Sequence, residues 1–296
     1  RFTPATGIWT THEHAAPGGI VLAGEPTAFI DGDRGAAAVV TSSDGHLILF
    51  RPDGSTLDLT ALAGNVDTSR VYASVGIVDD EAGGRIYLYG ADMAGSVVEY
   101  RFNRTGDIAS SFEAETLVIS AGVRTGSQTA RDVRILQSME AVISDGVRHV
   151  FGTDGTSRLV HLTVVGNAEV TLAENVSQLI ADTTTDNTVD ANGANVDTNG
   201  DDRVSGYFPF QMPYVARVYT EVAPLINPDG SLAVYGTNGG DLVLLHQVDG
   251  MWEAANLSKD IDPTTREVFT PANFVFGAPD AYIDANGDRH ILQINK

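Results

Sequence analysis

Asp197, Asn199 and Asp201 alternate along Asp197-Thr198-Asn199-Gly200-Asp201-Asp202-Arg203-Val204. Oxygen side chains at positions 1, 3 and 5, followed by an apolar residue at position 8, form the first half of a calcium-binding loop. Calcium is a hard cation that gathers oxygens, and this spacing turns three of them inward. Position 6 is Asp202 where Gly is usual, and position 12 is Phe208, so the closing carboxylate must come from elsewhere. Asp182, Asp186 or Asp190 can fold back to supply it, and we take Asp190 with Asp197, Asn199 and Asp201 as the candidate metal ligands. The competing reading is a polar acidic loop that holds no ion. Asp284, Asn286 and Asp288 repeat the spacing as a second candidate set, and Asp31-Gly32-Asp33 lies at a comparable place. There Asn286-Gly287 also reads as a two-residue hairpin turn, so both readings stand.

Carboxylates in pairs offer a second chemistry, the acid and base of glycosidic bond cleavage. Glu25, Glu221 and Asp280 lie near the starts of apolar segments, where they can face a common channel or be ordinary surface acids. His12 and His14 flank Glu13 and point the same way on a strand; they begin a zinc site that lacks a third ligand. No Gly-x-Ser-x-Gly elbow, phosphate-binding loop or His-Glu-x-x-His occurs.

These residues must be carried by a β-rich frame. Apolar and polar residues alternate with period two almost throughout, and no long stretch keeps helical spacing. Strand-like runs meet at Asp53-Gly54, Asp145-Gly146, Asp229-Gly230 and Asn286-Gly287, all hairpin signals. The runs group into units of about 50 residues. Gly277-Ala278-Pro279-Asp280-Ala281-Tyr282-Ile283-Asp284 nearly repeats Gly24-Glu25-Pro26-Thr27-Ala28-Phe29-Ile30-Asp31, and Gly250-Met251-Trp252 matches Gly7-Ile8-Trp9.

Four short antiparallel strands per unit predict an all-β fold, a five-bladed β-propeller over residues 1–296. The last unit lacks two strands, which predicts that the N-terminal strand Ile8–His14 closes the ring. A pair of twisted β-sandwiches is the alternative. Asp182–Gly206 is read as an acidic insert between the third and fourth blades.

The chain has 296 residues, 18 basic and 39 acidic, a net charge of −21 and no cysteine. That balance argues against nucleic acid and anionic membrane surfaces. It suits cation binding or a saline, extracellular milieu. Thiol chemistry and disulfides are excluded. No apolar run has the length of a membrane helix, so no membrane insertion is expected. No secretory leader is visible, and the opening Arg1 reads as that of a processed or excised piece.

The Gly-x-Pro-x-Ala-aromatic start, the Asp-Gly turns and the close Trp252…Asn256-Leu257-Ser258, varied as Leu57-Asp58-Leu59-Thr60, together resemble secreted bacterial lectin-like β-propeller repeats. The loop at Asp197 resembles dockerin and thrombospondin type-3 calcium loops over about eight residues. The resemblance implies a non-catalytic, calcium-stabilised binding module for a glycan or protein ligand, extracellular or at the cell surface. A glycan-active hydrolase or lyase using channel carboxylates and a structural adhesin segment are the alternatives. Exposed aromatics would supply sugar platforms, and Tyr72, Tyr87, Tyr89, Tyr235 and Tyr282 are the candidates.

Overall fold

The computed structural model describes residues 2–3, 8–9, 17–31, 35–64, 69–184, 217–238, 242–257 and 278–292. Its strands follow one another as antiparallel meanders. The first sheet holds β3 (Thr27–Ile30), β4 (Ala36–Thr41), β5 (Leu47–Phe50) and β6 (Thr56–Asp58). The second holds β7 (Gly76–Asp80), β8 (Arg85–Ala91), β9 (Val97–Asn103) and β10 (Glu113–Thr116). The third holds β11 (Gln137–Ser144), β12 (Val147–Thr153), β13 (Leu159–Val165) and β14 (Glu169–Asn175). The fourth holds β15 (Ala223–Ile226), β16 (Leu232–Thr237), β17 (Leu242–Val248) and β18 (Met251–Asn256). Two shorter sheets remain, β1 (Phe2–Thr3) with β2 (Ile8–Trp9), and β19 (Asp280–Ile283) with β20 (Arg289–Leu292).

The turns explain why the meanders form. Asp145 and Gly146 both have positive φ, 51° and 75°, which is the twist that a two-residue hairpin requires. Elsewhere an Asp side chain ties the turn together. Asp92 Oδ1 accepts from the backbone N–H of Ala94 and Ser96, each at 2.8 Å. Asp154 Oδ1 does the same for Thr156 and Arg158.

Each sheet buries its faces against the next one. Val39, Leu47 and Leu49 of the first sheet share a core with Ile86, Leu88 and Tyr100 of the second. Tyr89 and Val97 of the second pack with Val150 and Leu162 of the third. Phe151 and Leu159 of the third meet Val234, Leu245 and Trp252 of the fourth. Tyr235 and Leu244 of the fourth cover Ala281 and Ile291 of the fifth pair. The leading strands β3, β7, β11, β15 and β19 touch one another in that order.

Three segments entering these leading strands are built alike. Tyr72, Leu136 and Tyr219 donate their N–H groups to the carbonyls of Ala91, Thr153 and Thr237. Just before them, Val71, Ile135 and Val218 sit on Gly90, Gly152 and Gly236, where an added Cβ would come within 2.6, 2.3 and 2.5 Å of them. The repeat read in the sequence is thus a repeat of contacts. Val71, Ile135 and Val218 are all buried, at 0%, 0% and 1% exposure.

The structure adds helices to these expectations and leaves one expected pairing undescribed. The chain contains helices that the pattern did not announce, the single turns α1 (Leu59–Leu62) and α2 (Ile108–Ser111) and the longer α3 (Val176–Thr184). Helix α3 includes the first three residues of the acidic insert; 185–216, with Asp190, Asp197, Asn199 and Asp201, lie outside the described residues. The predicted pairing of the N-terminal strand with the last sheet is not among the described ladders: β2 pairs only with β1. Residues 10–16 lie outside the described residues. Four complete sheets and two pairs are described, so a closed ring of five blades is not established. Among the described residues no helix is long and apolar enough to cross a membrane.

Candidate functional site

The leading strands enter from one end, and that end is acidic. Glu25, Ser74 and Glu221 each stand two residues before the first residue of β3, β7 and β15. Asp280 opens β19, and Glu140 lies within β11. The opposite halves of β7, β11 and β15 line a mainly apolar cleft of about 290 Å³ with Ile77, Asp79, Ala141, Val142, Leu225 and Ile226, Asp79 being its one charged member.

A β-bulge sets the position of Glu140. Gln137 is paired with Thr153, yet Glu140 is paired with Phe151, so the register slips between them. Ser138, inside the slip, has φ 55°, a left-handed conformation uncommon for a residue with a side chain. Such bulges re-aim side chains. The strand beside it comes very close: a Cβ at Gly76 would lie 2.8 Å from the Glu140 backbone. Only glycine lets β7 approach β11 there.

Glu140, Glu221, Glu25 and Asp280 influence one another. The Glu140 carboxyl is pushed up to about 8, first by burial and then by the charges of Glu221 and Asp280. Glu140 keeps some exposed surface, so a ligand can reach it. Glu221 is also raised, first by burial, with the nearby Ser74 hydroxyl opposing the rise and the neighbouring Glu25 adding to it. Glu25 and Asp280 are exposed, whereas Glu221 is half-buried. The cluster therefore sets carboxyls raised toward their proton-bearing form, Glu140 and Glu221, beside the exposed acids Glu25 and Asp280, a combination suited to hydroxyl-rich ligands and to acid–base chemistry.

Of the acids singled out in the sequence, Glu25, Glu221 and Asp280 are thus brought together. Glu140 was missed because the bulge takes it out of step with the repeat; a lone charge inside Met139-Glu140-Ala141-Val142-Ile143 was the available signal. The tyrosines divide. Tyr87, Tyr89 and Tyr235 are core residues, whereas Tyr72, Tyr219 and Tyr282 are 38%, 50% and 48% exposed. Tyr72 and Tyr219 each lie two residues before Ser74 and Glu221, beside the acidic end. Tyr282 stacks on His290 at 4.9 Å.

The second metal candidate forms a turn. Asp284 Oδ1 accepts from the N–H groups of Asn286 and Asp288, each at 2.9 Å, and His290 Nε2 lies 3.2 Å from Asp284 Oδ2. This is the same device as at Asp92 and Asp154. Among the described residues no group of three His, Asp or Glu side chains is arranged to hold a metal ion. His12 and His14 lie outside the described residues. His149 and His290 do occupy matching second-strand places, paired with Val142 of β11 and Tyr282 of β19.

No family model matches the chain, and no curated protein matches it. Solved structures give distant likenesses. A fungal lectin from Aleuria aurantia, described as a six-bladed β-propeller with a novel fucose recognition mode, is 13% identical, with a TM-score of 0.39 over 93% of this chain and 74% of its own. A GH43_1 enzyme from Xanthomonas citri complexed with xylotriose is 10% identical, with a TM-score of 0.39 over 92% and 91%. An engineered GH43 glycoside hydrolase is 9% identical, with a TM-score of 0.41, and this chain spans about half of it, 51%. Likeness at this level decides nothing about activity.

Proposed function

We propose that this chain is a glycan-binding β-propeller module whose ligand site is the acidic end of its leading strands. One observation carries the reading: Glu25, Glu140, Glu221 and Asp280 gather there from four different sheets, the Glu140 and Glu221 carboxyls raised toward their proton-bearing form beside the exposed Glu25 and Asp280. Sugar hydroxyls both donate and accept, so such a mixture matches them better than a uniformly charged surface. Half-exposed Tyr72 and Tyr219 flank the cluster and offer flat apolar faces to sugar C–H groups. In this reading β1–β2 joins β19–β20 as a fifth blade and closes the ring, which removes the free edge of β20. The module acts outside the cell or on its surface, as a non-catalytic part of a larger protein, and calcium held by Asp190, Asp197, Asn199 and Asp201 stabilises the insert.

A hydrolase is the second reading, and the raised Glu140 favours it. A carboxyl that keeps its proton near neutral pH can act as a general acid.

Glu140→Gln separates the two. The amide keeps the shape and the donor of a protonated carboxyl, so a binder retains its affinity on a glycan array, while a hydrolase loses reducing-end release. Array binding by the wild type with no reducing ends released establishes the binder. Absence of both removes the site from glycan chemistry. Calcium is checked by melting the protein with calcium and with chelator: a higher midpoint with calcium is expected, and an unchanged midpoint removes the ion from the fold.

A further inference from the structure

The same kind of triplet leads into three of the leading strands: Arg70-Val71-Tyr72, Arg134-Ile135-Leu136 and Arg217-Val218-Tyr219. The middle residues donate their N–H groups to the carbonyls of Gly45, Gly95 and Ser157 in the preceding sheet, at 2.9, 3.2 and 2.9 Å. Each arginine therefore stands at a junction between two sheets, across from the residue that follows the acceptor: His46, Ser96 or Arg158.

The three junctions differ in charge. At the first, His46 Nδ1 lies 2.7 Å from Asp58 and its Nε2 lies 3.8 Å from Asp44, so acids accompany the bases. At the second, Ser96 is neutral and Leu136 offers no ring. At the third, arginine meets arginine. Arg158 and Arg217 are directly opposed in an antiparallel bridge, which sets their Cβ atoms about 4.5–5.5 Å apart, and like charges so placed repel. Among the described residues no carboxylate forms an ion pair with either guanidinium. The charge of Arg158 acts on the Asp132 carboxyl, but Asp132 Oδ2 already accepts the N–H and hydroxyl of Thr129, at 2.5 and 2.7 Å.

The pair is held on a fixed frame. Asp154 Oδ1 accepts the Arg158 N–H at 3.0 Å, and Ser177 Oγ accepts the Leu159 N–H at 2.9 Å. Arg217 Nη1 donates to Tyr219 Oη at 3.4 Å, so the guanidinium and the half-exposed ring share a side. Two opposed arginines without a paired acid, in a chain of net charge −21, ask for an anion from outside.

We infer that the sugar bound at this end carries an anionic substituent, a carboxylate or a sulfate ester, which Arg158 and Arg217 hold while the ring lies on Tyr219. Guanidinium donors match either group in pairs. Tyr219 stands two residues before Glu221, so the ligand spans a basic and an acidic half, its anion toward the arginines and its hydroxyls toward the carboxyls. The inference rests on the glycan reading of this end and adds the charge of the ligand to it.

Isothermal titration of the wild type, Arg158→Gln, Arg217→Gln and Arg217→Lys with two matched pairs of probes tests it. The pairs are trigalacturonate with its fully methyl-esterified form, and galactose 6-sulfate with galactose. The wild type is expected to bind at least one anionic probe, and to bind its neutral counterpart about tenfold more weakly or worse. Each glutamine variant is expected to weaken anionic binding by on the order of ten- to a hundredfold. Arg217→Lys restores part of it, because the charge remains but the fork does not. If one glutamine variant fails to fold, the other carries the test. Equal binding of charged and neutral probes, or anionic binding that a folded glutamine variant leaves unchanged, overturns the inference and leaves the glycan reading standing. If no saccharide binds but inorganic sulfate moves the Arg158 and Arg217 Nε–H signals in NMR, the arginine pair stands as an anion site and the glycan reading falls. No response to any probe overturns both.

Discussion

The third sheet is locked to its two neighbours by opposite means. Toward the second sheet the lock is ionic. Arg148 Nε donates to Tyr89 Oη at 2.7 Å, the Tyr89 hydroxyl donates to Glu99 Oε2 at 2.7 Å, and Arg148 reaches the same oxygen at 3.3 Å. Arg101 donates to the other Glu99 oxygen at 2.9 Å. Glu99 is 0% exposed, and Arg148 and Arg101 are 2% and 6%. Arg148 also lies 4.1 Å over the Tyr87 ring. Toward the fourth sheet the lock is aromatic and neutral except for one acid. Glu174 Oε1 accepts from His161 Nδ1 and Trp252 Nε1, each at 2.8 Å, and His161 Nε2 meets His149 Nδ1 at 3.1 Å. Phe151 stacks on His161 at 4.6 Å. In the neutral tautomer of His161 whose Nδ1–H donates to Glu174, Nε2 is an acceptor and His149 Nδ1 donates to it.

The difference teaches where each interface is vulnerable. The ionic lock fails when a partner is removed, because a buried charge is then left alone. The histidine lock fails when protons are added, because burial and the neighbouring His161 oppose a second proton on His149.

The largest effect is expected at Glu99. Glu99→Ala leaves buried Arg148 with only the neutral Tyr89 hydroxyl and Gly166 carbonyl, while Arg101 keeps Glu113 and Glu115, and costs about 3–5 kcal/mol in urea denaturation; a loss below about 1 kcal/mol would show that Arg148 is solvated instead. Trp252→Phe keeps the packing against Phe151 but removes a donor to Glu174, and is expected to cost about 1–3 kcal/mol. A Trp252→Phe protein as stable as wild type would make the lock one of packing alone.

The third effect is one of pH. His149 is pushed down from 6.5 to about 4, by burial first and by His161 second, with Glu174 partly opposing. The unfolded chain takes up a proton as pH falls below 6.5, and the folded chain does so only near 4. Its contribution is therefore full above 6.5 and is lost as pH falls from there through 4. His149→Gln should flatten stability across that window and leave the response to Glu99→Ala unchanged. A wild-type protein equally stable at both ends of the window removes the histidine from the account.

The sequence spoke clearly wherever a turn has its own chemistry. Asp145-Gly146 and Asp229-Gly230 end hairpins where expected, and leading strands follow the Gly-x-Pro starts. Period-two alternation located the strands because one sheet face always meets a neighbour. Helix α3 was not legible: Val176, Leu179 and Ile180 have helical spacing, but over nine residues it is too short to stand out. The acidic end was half legible. Glu25, Glu221 and Asp280 sit at repeat starts, whereas Glu140 is displaced by an insertion of backbone that no residue type announces. The ionic and histidine locks were invisible, since Glu99 with Arg148, and Glu174 with Trp252, are joined only when sheets 49 and 78 positions apart in sequence come face to face.

Every ladder in the four complete sheets joins strands adjacent in sequence. Loop closure within a sheet is therefore short-range, and each meander can assemble as soon as the ribosome has released it. Adding or deleting one meander changes the number of units without rethreading the others, so copy number is the dimension in which such a chain is freest to evolve.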